Sequence, residues 1–451
     1  MTVPVMGGWT RCAGTRCCDR WWVCLHPHDT SVRPLMVAAS AAVGPWPALR
    51  HENFRRYFIG QLLAQTGRWM GGVAQAWLVL DLTASPAALG LLTVCQFAPI
   101  LALSLFAGPI ADRVIKRRLL VALQAAAAVQ AAVLALLVLT GSAQPWEIFF
   151  LAALLGVINA IDNPTRLSFL SELVRPEELQ SAVGLTAAVQ NGARIAGAAL
   201  GGLIIATWGT GICLGLNALA YVAAFIALVS IREGLLRPAE RAAGGRMFAQ
   251  VADGLRYVSS ERELLVPLAL LGLIGAIGYN WGVSLPILAR YTFAAGAPGL
   301  GWLTAALGAG AIVGGLMVAS RLPPTGAQLC RIGVAFSAFV IGLAYAPTFA
   351  LALAALVGAG VLGVAFSAGV NTAVQFRSRP AYRGRVLGLF FLLWAGGVPI
   401  GGVLTGLVAE LWDVRLALAL NGVLCLAGSL VAVAAISRPR ADPPTVLAPG
   451  P

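Results

Sequence analysis

Histidine is nearly missing from this chain. The three present, His26, His28 and His51, all precede the first long apolar segment. The remainder therefore has no means of histidine acid–base catalysis and no imidazole to hold a metal. Lysine is scarcer still: Lys116 is the only one, and every other basic side chain is arginine, a usage that points to a GC-rich genome. Charged residues make up only 11% of the sequence, against about 25% in soluble proteins. That excludes a soluble enzyme, a nucleic-acid binder and a disordered chain. The eight cysteines include no paired C-x-x-C spacing. Cys12, Cys17, Cys18 and Cys24 crowd near His26 and His28 without the pattern of a zinc site, and no metal is expected. Cys95, Cys213, Cys330 and Cys425 stand alone in apolar runs and read as buried free thiols. No secretory signal is legible, because charges interrupt every apolar stretch near the start.

What fills the 451 residues is hydrophobic: 59% of them, with a mean hydropathy of +0.83. This composition predicts an all-α integral membrane protein. Apolar runs of about 20 residues, enough to cross a ~30 Å hydrocarbon core, recur at 57–80, 88–110, 119–140, 147–170, 180–206 and 212–231. A second set lies at 264–288, 300–320, 329–346, 349–374, 385–409 and 416–436. Helix is required, because lipid offers no partner to an unpaired backbone amide.

Basic residues alternate between the breaks. Arg50, Arg55 and Arg56, then 113–118, Arg175, 232–262, Arg321, 377–385, Arg438 and Arg440 form one set; the other holds little beyond Arg290 and Arg415. The bias predicts that the first set and both termini face the cytoplasm. The longest break divides the sequence into a 1–50 leader, a 51–231 six-helix bundle, a 232–263 linker, a 264–436 six-helix bundle and a 437–451 tail. Residues 1–35 read as an over-extended start or a disordered tail. Within the linker, Phe248, Val251, Leu255 and Val258 share one helical face, suited to lying along a membrane surface.

The loop after the second span runs Gly108, Asp112, Arg113, Lys116, Arg117 and Arg118. It resembles the G-x-x-x-D-R-x-G-R-R loop of the major facilitator superfamily, with Ile115 in place of the second glycine. Further matches at 54–58, 73–79, 82–85, 162–166, 191–195, 197–202 and 383–386 resemble its transmembrane secretion effector branch, which includes enterobactin-exporter-like and macrolide-efflux-like proteins. The resemblance implies two pseudo-symmetric six-helix bundles, a cavity between them and alternating access. It also implies export of a small amphipathic molecule coupled to protons, in the bacterial cytoplasmic membrane, by a monomer with no cofactor and no nucleic-acid partner. In the resembled fold, Asp112 meets the start of helix eleven at Arg383, Gly384 and Arg385 and gates the cytoplasmic side. Arg68, Ala76 and Ala198 depart from the branch's pattern. An organic-anion importer or uniporter, a non-transporting sensor and a membrane transferase remain as alternatives.

Charges within apolar spans are costly, at least ~2.5–3.5 kcal/mol at the centre of an isolated helix. Arg68 falls near mid-membrane and must face a wet cavity or a partner; Arg194 lies as deep. Together they predict a positive interior suited to an anionic or oxygen-rich ligand. Asp162 and Arg166 share a helix face four residues apart, with Pro164 between them. They form either a coupling or gating pair or a fixed salt bridge. Polar candidates for a substrate cavity are Gln75, Gln96 and Asn159 in the first half and Tyr279, Asn280, Trp281, Asn371 and Gln375 in the second. Three glycine pairs at four-residue spacing, Gly197 with Gly201, Gly310 with Gly314 and Gly397 with Gly401, predict close helix packing.

Overall fold

A computed structural model describes residues 47–236, 247–319 and 323–437, with the side chains of all of these except 104–113, 180, 247–252, 254, 380, 381 and 395. Among the described residues there is no strand. The first half contains α1 (Glu52–Thr83), α2 (Pro86–Arg113), α3 (Lys116–Leu139), α4 (Pro145–Leu173), α5 (Leu179–Trp208) and α6 (Thr210–Val229). A shorter helix, α7 (Met247–Ser260), follows in the linker. The second half contains α8 (Arg262–Leu273), α9 (Trp281–Ile287), α10 (Gly296–Ala319), α11 (Gly326–Ala344), α12 (Phe349–Arg377), α13 (Pro380–Gly396), α14 (Val398–Leu411) and α15 (Val414–Ser437). α8 and α9 form one rod interrupted by a π-helical turn at Ile274–Gly278, and α13 and α14 form another that is interrupted at Gly397.

Among the described residues, ten helical stretches are long and apolar enough to cross a membrane. α1 and α5 are not among them. Gln61, Gln65 and Arg68 lower the hydropathy of α1, and Gln190, Asn191 and Arg194 that of α5. The turns between rods are short and locally signalled. Ser85 caps α2, its hydroxyl accepting from the Ala88 amide, with Pro86 in the first turn where no amide is missed. The Glu147 carboxylate accepts from the Gln144 amide to start α4. Successive rods run up and down, so one end gathers the arginine-rich breaks and the other the arginine-poor ones. Pro47–Arg50 adds a 3-10 turn before α1, with Ala48 fully buried.

Within the first half α1 packs on α5 and α6, α2 on α4, and α3 on α6; within the second, α10 packs on α12 and α11 on α15. The halves meet along two pairs, α5 with α10 and α2 with α14. Gly197 and Gly201 lie against α1, where a Cβ on Gly201 would stand 3.1 Å from the Met70 Cα. Gly310 and Gly314 lie against the α12 backbone at Val357 and Val361, and Gly397 and Gly401 against Ala276. All three pairs therefore serve packing inside a half. The glycines that join the halves are others. A Cβ on Gly202 would sit 2.6 Å from the Ala297 carbonyl, and one on Gly90 2.8 Å from the Gly402 carbonyl.

Candidate functional site

Three groups of polar residues stand out, and each lies at a different depth. At the arginine-poor end, α1 finishes in Asp81 and the α8–α9 rod finishes near Arg290. The two form an ion pair, and among the described residues it is the one ion pair that joins the halves. The Arg290 guanidinium also stacks over Trp77, at 5.6 Å, and Tyr291 donates a hydrogen bond to the Ala84 carbonyl at 3.2 Å. Beside them, Glu410 near the end of α14 reaches the start of α2 in the other half. Its Oε2 accepts from the Ser85 hydroxyl at 2.6 Å and from the Ala87 amide at 2.9 Å. A helix start carries unpaired amides and partial positive charge, so a carboxylate is favoured there.

The second group lies inside the first half, where α1, α3, α4 and α6 converge. Asp162 and Arg166 form a buried bidentate pair, with Nε–Oδ2 2.9 Å and Nη2–Oδ1 2.7 Å, and Gln124 donates to Asp162 Oδ1 at 3.2 Å. α4 continues through Pro164 without a break. Arg68 and Asn159 line the same small cavity as this pair. Arg68 thus finds a polar setting within its own half. Gln75 and Gln96 bond each other at 2.9 Å, joining α1 to α2.

The third group borders the seam between halves. Arg194 on α5 lies over the Trp69 ring at 5.9 Å and donates to Asn191 Oδ1 at 3.3 Å, while its buried Nε has no partner. Gly308 of the opposite half would bring a Cβ within 3.6 Å of that Nε.

The second-half candidates are mostly engaged in the fold. The Tyr279 hydroxyl donates to the Gly363 carbonyl at 2.7 Å. Asn280 is buried and donates back to Ala276 and Ile277, closing the π-helical turn. Trp281 packs edge-on against Phe336. Asn371 and Gln375 bond each other at 2.5 Å, with Gln375 exposed.

At the arginine-rich end, the side chains of Gly108, Asp112 and Arg113 lie outside the described residues. Their neighbours are tied to their own half. Lys116 pairs with Glu172 at 2.8 Å, and Arg117 holds the last carbonyls of α6, Leu228 and Val229, together with Glu233. Arg383 and Gly384 are exposed at the start of α13. Arg385 instead faces the linker helix, 3.3 Å from Asp253, and Tyr257 stacks on Tyr382 at 4.5 Å. α7 is therefore seated on α13. Val258 is buried and Leu255 is 53% exposed, so the two do not share one apolar contact; Phe248 and Val251 lie outside the described side chains.

Sequence reasoning passed over Glu410, Gln65, Gln124 and Tyr221. For Gln65 a signal existed: Gln61, Gln65 and Arg68 recur at four and three residues, a polar stripe on an otherwise apolar helix. For Glu410 none did, since its partners lie more than three hundred residues away.

A family model described as transmembrane secretion effector matches residues 43–443. Among similar proteins, the staphyloferrin A transporter of Staphylococcus aureus is 24% identical over 374 residues, covering 81% of this chain and 92% of its own. The multidrug efflux pump Tap of Mycolicibacterium fortuitum is 26% identical, covering 77% and 87%. The macrolide efflux protein A of Streptococcus pyogenes is 20% identical, covering 84% and 95%. Among solved structures, a bacterial homologue of the human lysosomal transporter Spinster, inward-facing and unoccupied, superposes with a TM-score of 0.69 at 15% identity, over 87% of this chain and 98% of that one. The nucleoside transporter NupG gives 0.66 at 12% identity, over 86% and 100%.

Proposed function

The chain belongs to the transmembrane secretion effector family of the major facilitator superfamily, and from that premise we propose that it exports a small amphipathic molecule by proton antiport with alternating access. It is a multi-pass membrane transporter and not an enzyme. In this reading α1 and α5 span the bacterial cytoplasmic membrane with the ten more apolar helices, as twelve spans in two bundles. The arginine-rich end and both termini face the cytoplasm.

One observation carries the alternating-access reading. The Asp81–Arg290 pair, the Glu410 contacts with α2 and the Tyr291 bond to Ala84 all cross between halves at the arginine-poor end. Among the described residues no ion pair crosses at the other end. A transporter closed to the outside and open to the cytoplasm has this asymmetry. On this reading, the start of α13 is where Asp112 docks when the cytoplasmic side closes. The cargo, on this reading, carries negative charge or several acceptor oxygens, because Arg194 presents an unpaired buried donor at the seam and a guanidinium favours such groups.

The test is transport into everted vesicles with an imposed pH gradient, using three probes: a hydroxycarboxylate siderophore, a macrolide and ethidium. Uptake of either oxygen-rich probe that collapses with nigericin supports the proposal. Uptake that follows the probe's own gradient and ignores the proton gradient refutes antiport and favours a uniporter.

A further inference from the structure

The junction of α1, α3, α4 and α6 contains more polar groups than its bonds satisfy. Gln65, Arg68, Gln124, Asp162, Arg166 and Tyr221 line one small cavity. Four atoms there have no hydrogen-bond partner: Gln65 Oε1, Gln124 Oε1, Arg166 Nη1 and the Tyr221 hydroxyl. Their side chains come from four different helices, and all four residues are buried. A buried polar atom left unpaired costs energy that a folded protein recovers by supplying a partner, from protein or from ordered water. Lipid around the bundle supplies none.

The chemistry of the four atoms identifies the partner. Two are acceptors, the glutamine carbonyl oxygens. Two present hydrogens, Arg166 Nη1 and the Tyr221 hydroxyl. The orientation of Gln124 is fixed independently, because its amide nitrogen faces the Asp162 carboxylate and its oxygen must then point away. Two acceptors and two donors complement one water molecule, which has two hydrogens to give and two lone pairs to fill. The free space, about 10 Å³, is at the lower limit of what one water needs. A bare cation would meet the positive charges of Arg166 and Arg68.

We propose that this cavity is a binding site for one ordered water. The water accepts from Arg166 and Tyr221 and donates to Gln65 and Gln124. It joins all four helices and occupies the one nitrogen of Arg166 that Asp162 leaves free. The guanidinium is then held on every side, by carboxylate on two nitrogens and by water on the third. The site stands whether or not the protein moves protons, since it depends only on the groups that face the cavity.

Two measurements test it. The first is a structure of the full chain in lipid nanodiscs at a resolution that shows solvent. A single peak within hydrogen-bond distance of the four atoms is expected, and it should vanish in the Gln65→Met, Tyr221→Phe double variant. An empty cavity in the wild type overturns the proposal. The second is a double-mutant cycle on thermal unfolding with the same substitutions, which roughly keep size and remove the amide group of Gln65 and the hydroxyl of Tyr221. The Gln65 oxygen and the Tyr221 hydroxyl make no direct hydrogen bond, and a bridging water would couple them. The double variant should depart from the sum of the singles by at least about twofold in the unfolding equilibrium. Strict additivity would remove the water, and this readout stands even if one variant is too unstable to image.

Discussion

Glu410→Gln isolates the electrostatic part of the contact between α14 and α2. Glutamine keeps the length and one acceptor oxygen, so the Ser85 and Ala87 bonds persist in neutral form while the charge at the helix start is lost. Hydrogen bonds to a charged group are worth about 1.5–3 kcal/mol when buried. Glu410 is exposed, and solvent screening brings an exposed charge down to at most about 1 kcal/mol. The helix-start effect falls in the same range, about 0.3–1 kcal/mol. Together the substitution should cost the state closed at the arginine-poor end about 0.5–1 kcal/mol, a change of roughly two- to fivefold in its population. Spin labels at Ser142 and Tyr345, both exposed at that end and on opposite halves, report the separation by pulsed dipolar spectroscopy. The long-distance fraction should rise by that factor relative to the short one. An unchanged distance distribution, with the protein folded and inserted, would mean that the carboxylate holds nothing across the seam.

Asp162→Asn should destabilise the first half by about 3–5 kcal/mol, because it leaves the Arg166 guanidinium buried without its counter-charge. Asp162→Leu combined with Arg166→Met should recover most of that loss in a thermal-shift assay in detergent. Outside the membrane, Glu178 pairs with His51 beside the start of α5. Burial raises its carboxyl pKa, but the His51 hydrogen bond and charge outweigh that and hold it below the ordinary carboxylate value. The sign follows: this contribution is complete above the unfolded carboxylate pKa and is lost as pH falls through the lower folded one. Wild-type stability should therefore fall more steeply with acid below about pH 4.3 than that of Glu178→Gln, and parallel profiles would refute the tie. A cysteine introduced at position 245 should react with impermeant maleimide only after cell lysis; labelling of intact cells would invert the topology.

The helices were legible because the lipid makes a simple demand, about twenty apolar residues in a row, and the sequence repeats its answer. The two helices that fall short of the apolar criterion, α1 and α5, carry the arginines that matter most. Arg68 could be placed at mid-membrane from its position in α1. That it lines one small cavity with Asp162 depends on the rotation of α1 about its axis, which neighbouring helices set. The same limit applies to the glycines. Spacing of four marks Gly197 and Gly201 as a packing face, but the residue after Gly201 points about 100° away. It is Gly202 that meets the other half. The pairing of Asp162 with Arg166 followed from their spacing, whereas Glu410 and Tyr221 depend on contacts with helices distant in sequence, and no local pattern announces them. The π-helical turn at Ile274–Gly278 was likewise invisible, since hydropathy runs through it unbroken.

The seam contacts in which a Cβ on a glycine would meet backbone of the other half at under 3 Å sit far from its middle. Gly202 lies six residues before the end of α5, and Gly301 five residues after the start of α10. Backbones touch there, so the site works as a fulcrum with two very unequal arms. From Gly202 back to the start of α5 is 23 residues, roughly 35 Å of lever at 1.5 Å per residue, against about 9 Å on the short side. A tilt of about 10° around that point displaces the far tip by roughly 6 Å and the near one by less than about 2 Å. Small adjustments among the few groups clustered at the near tip are thereby amplified into an aperture of molecular width at the other.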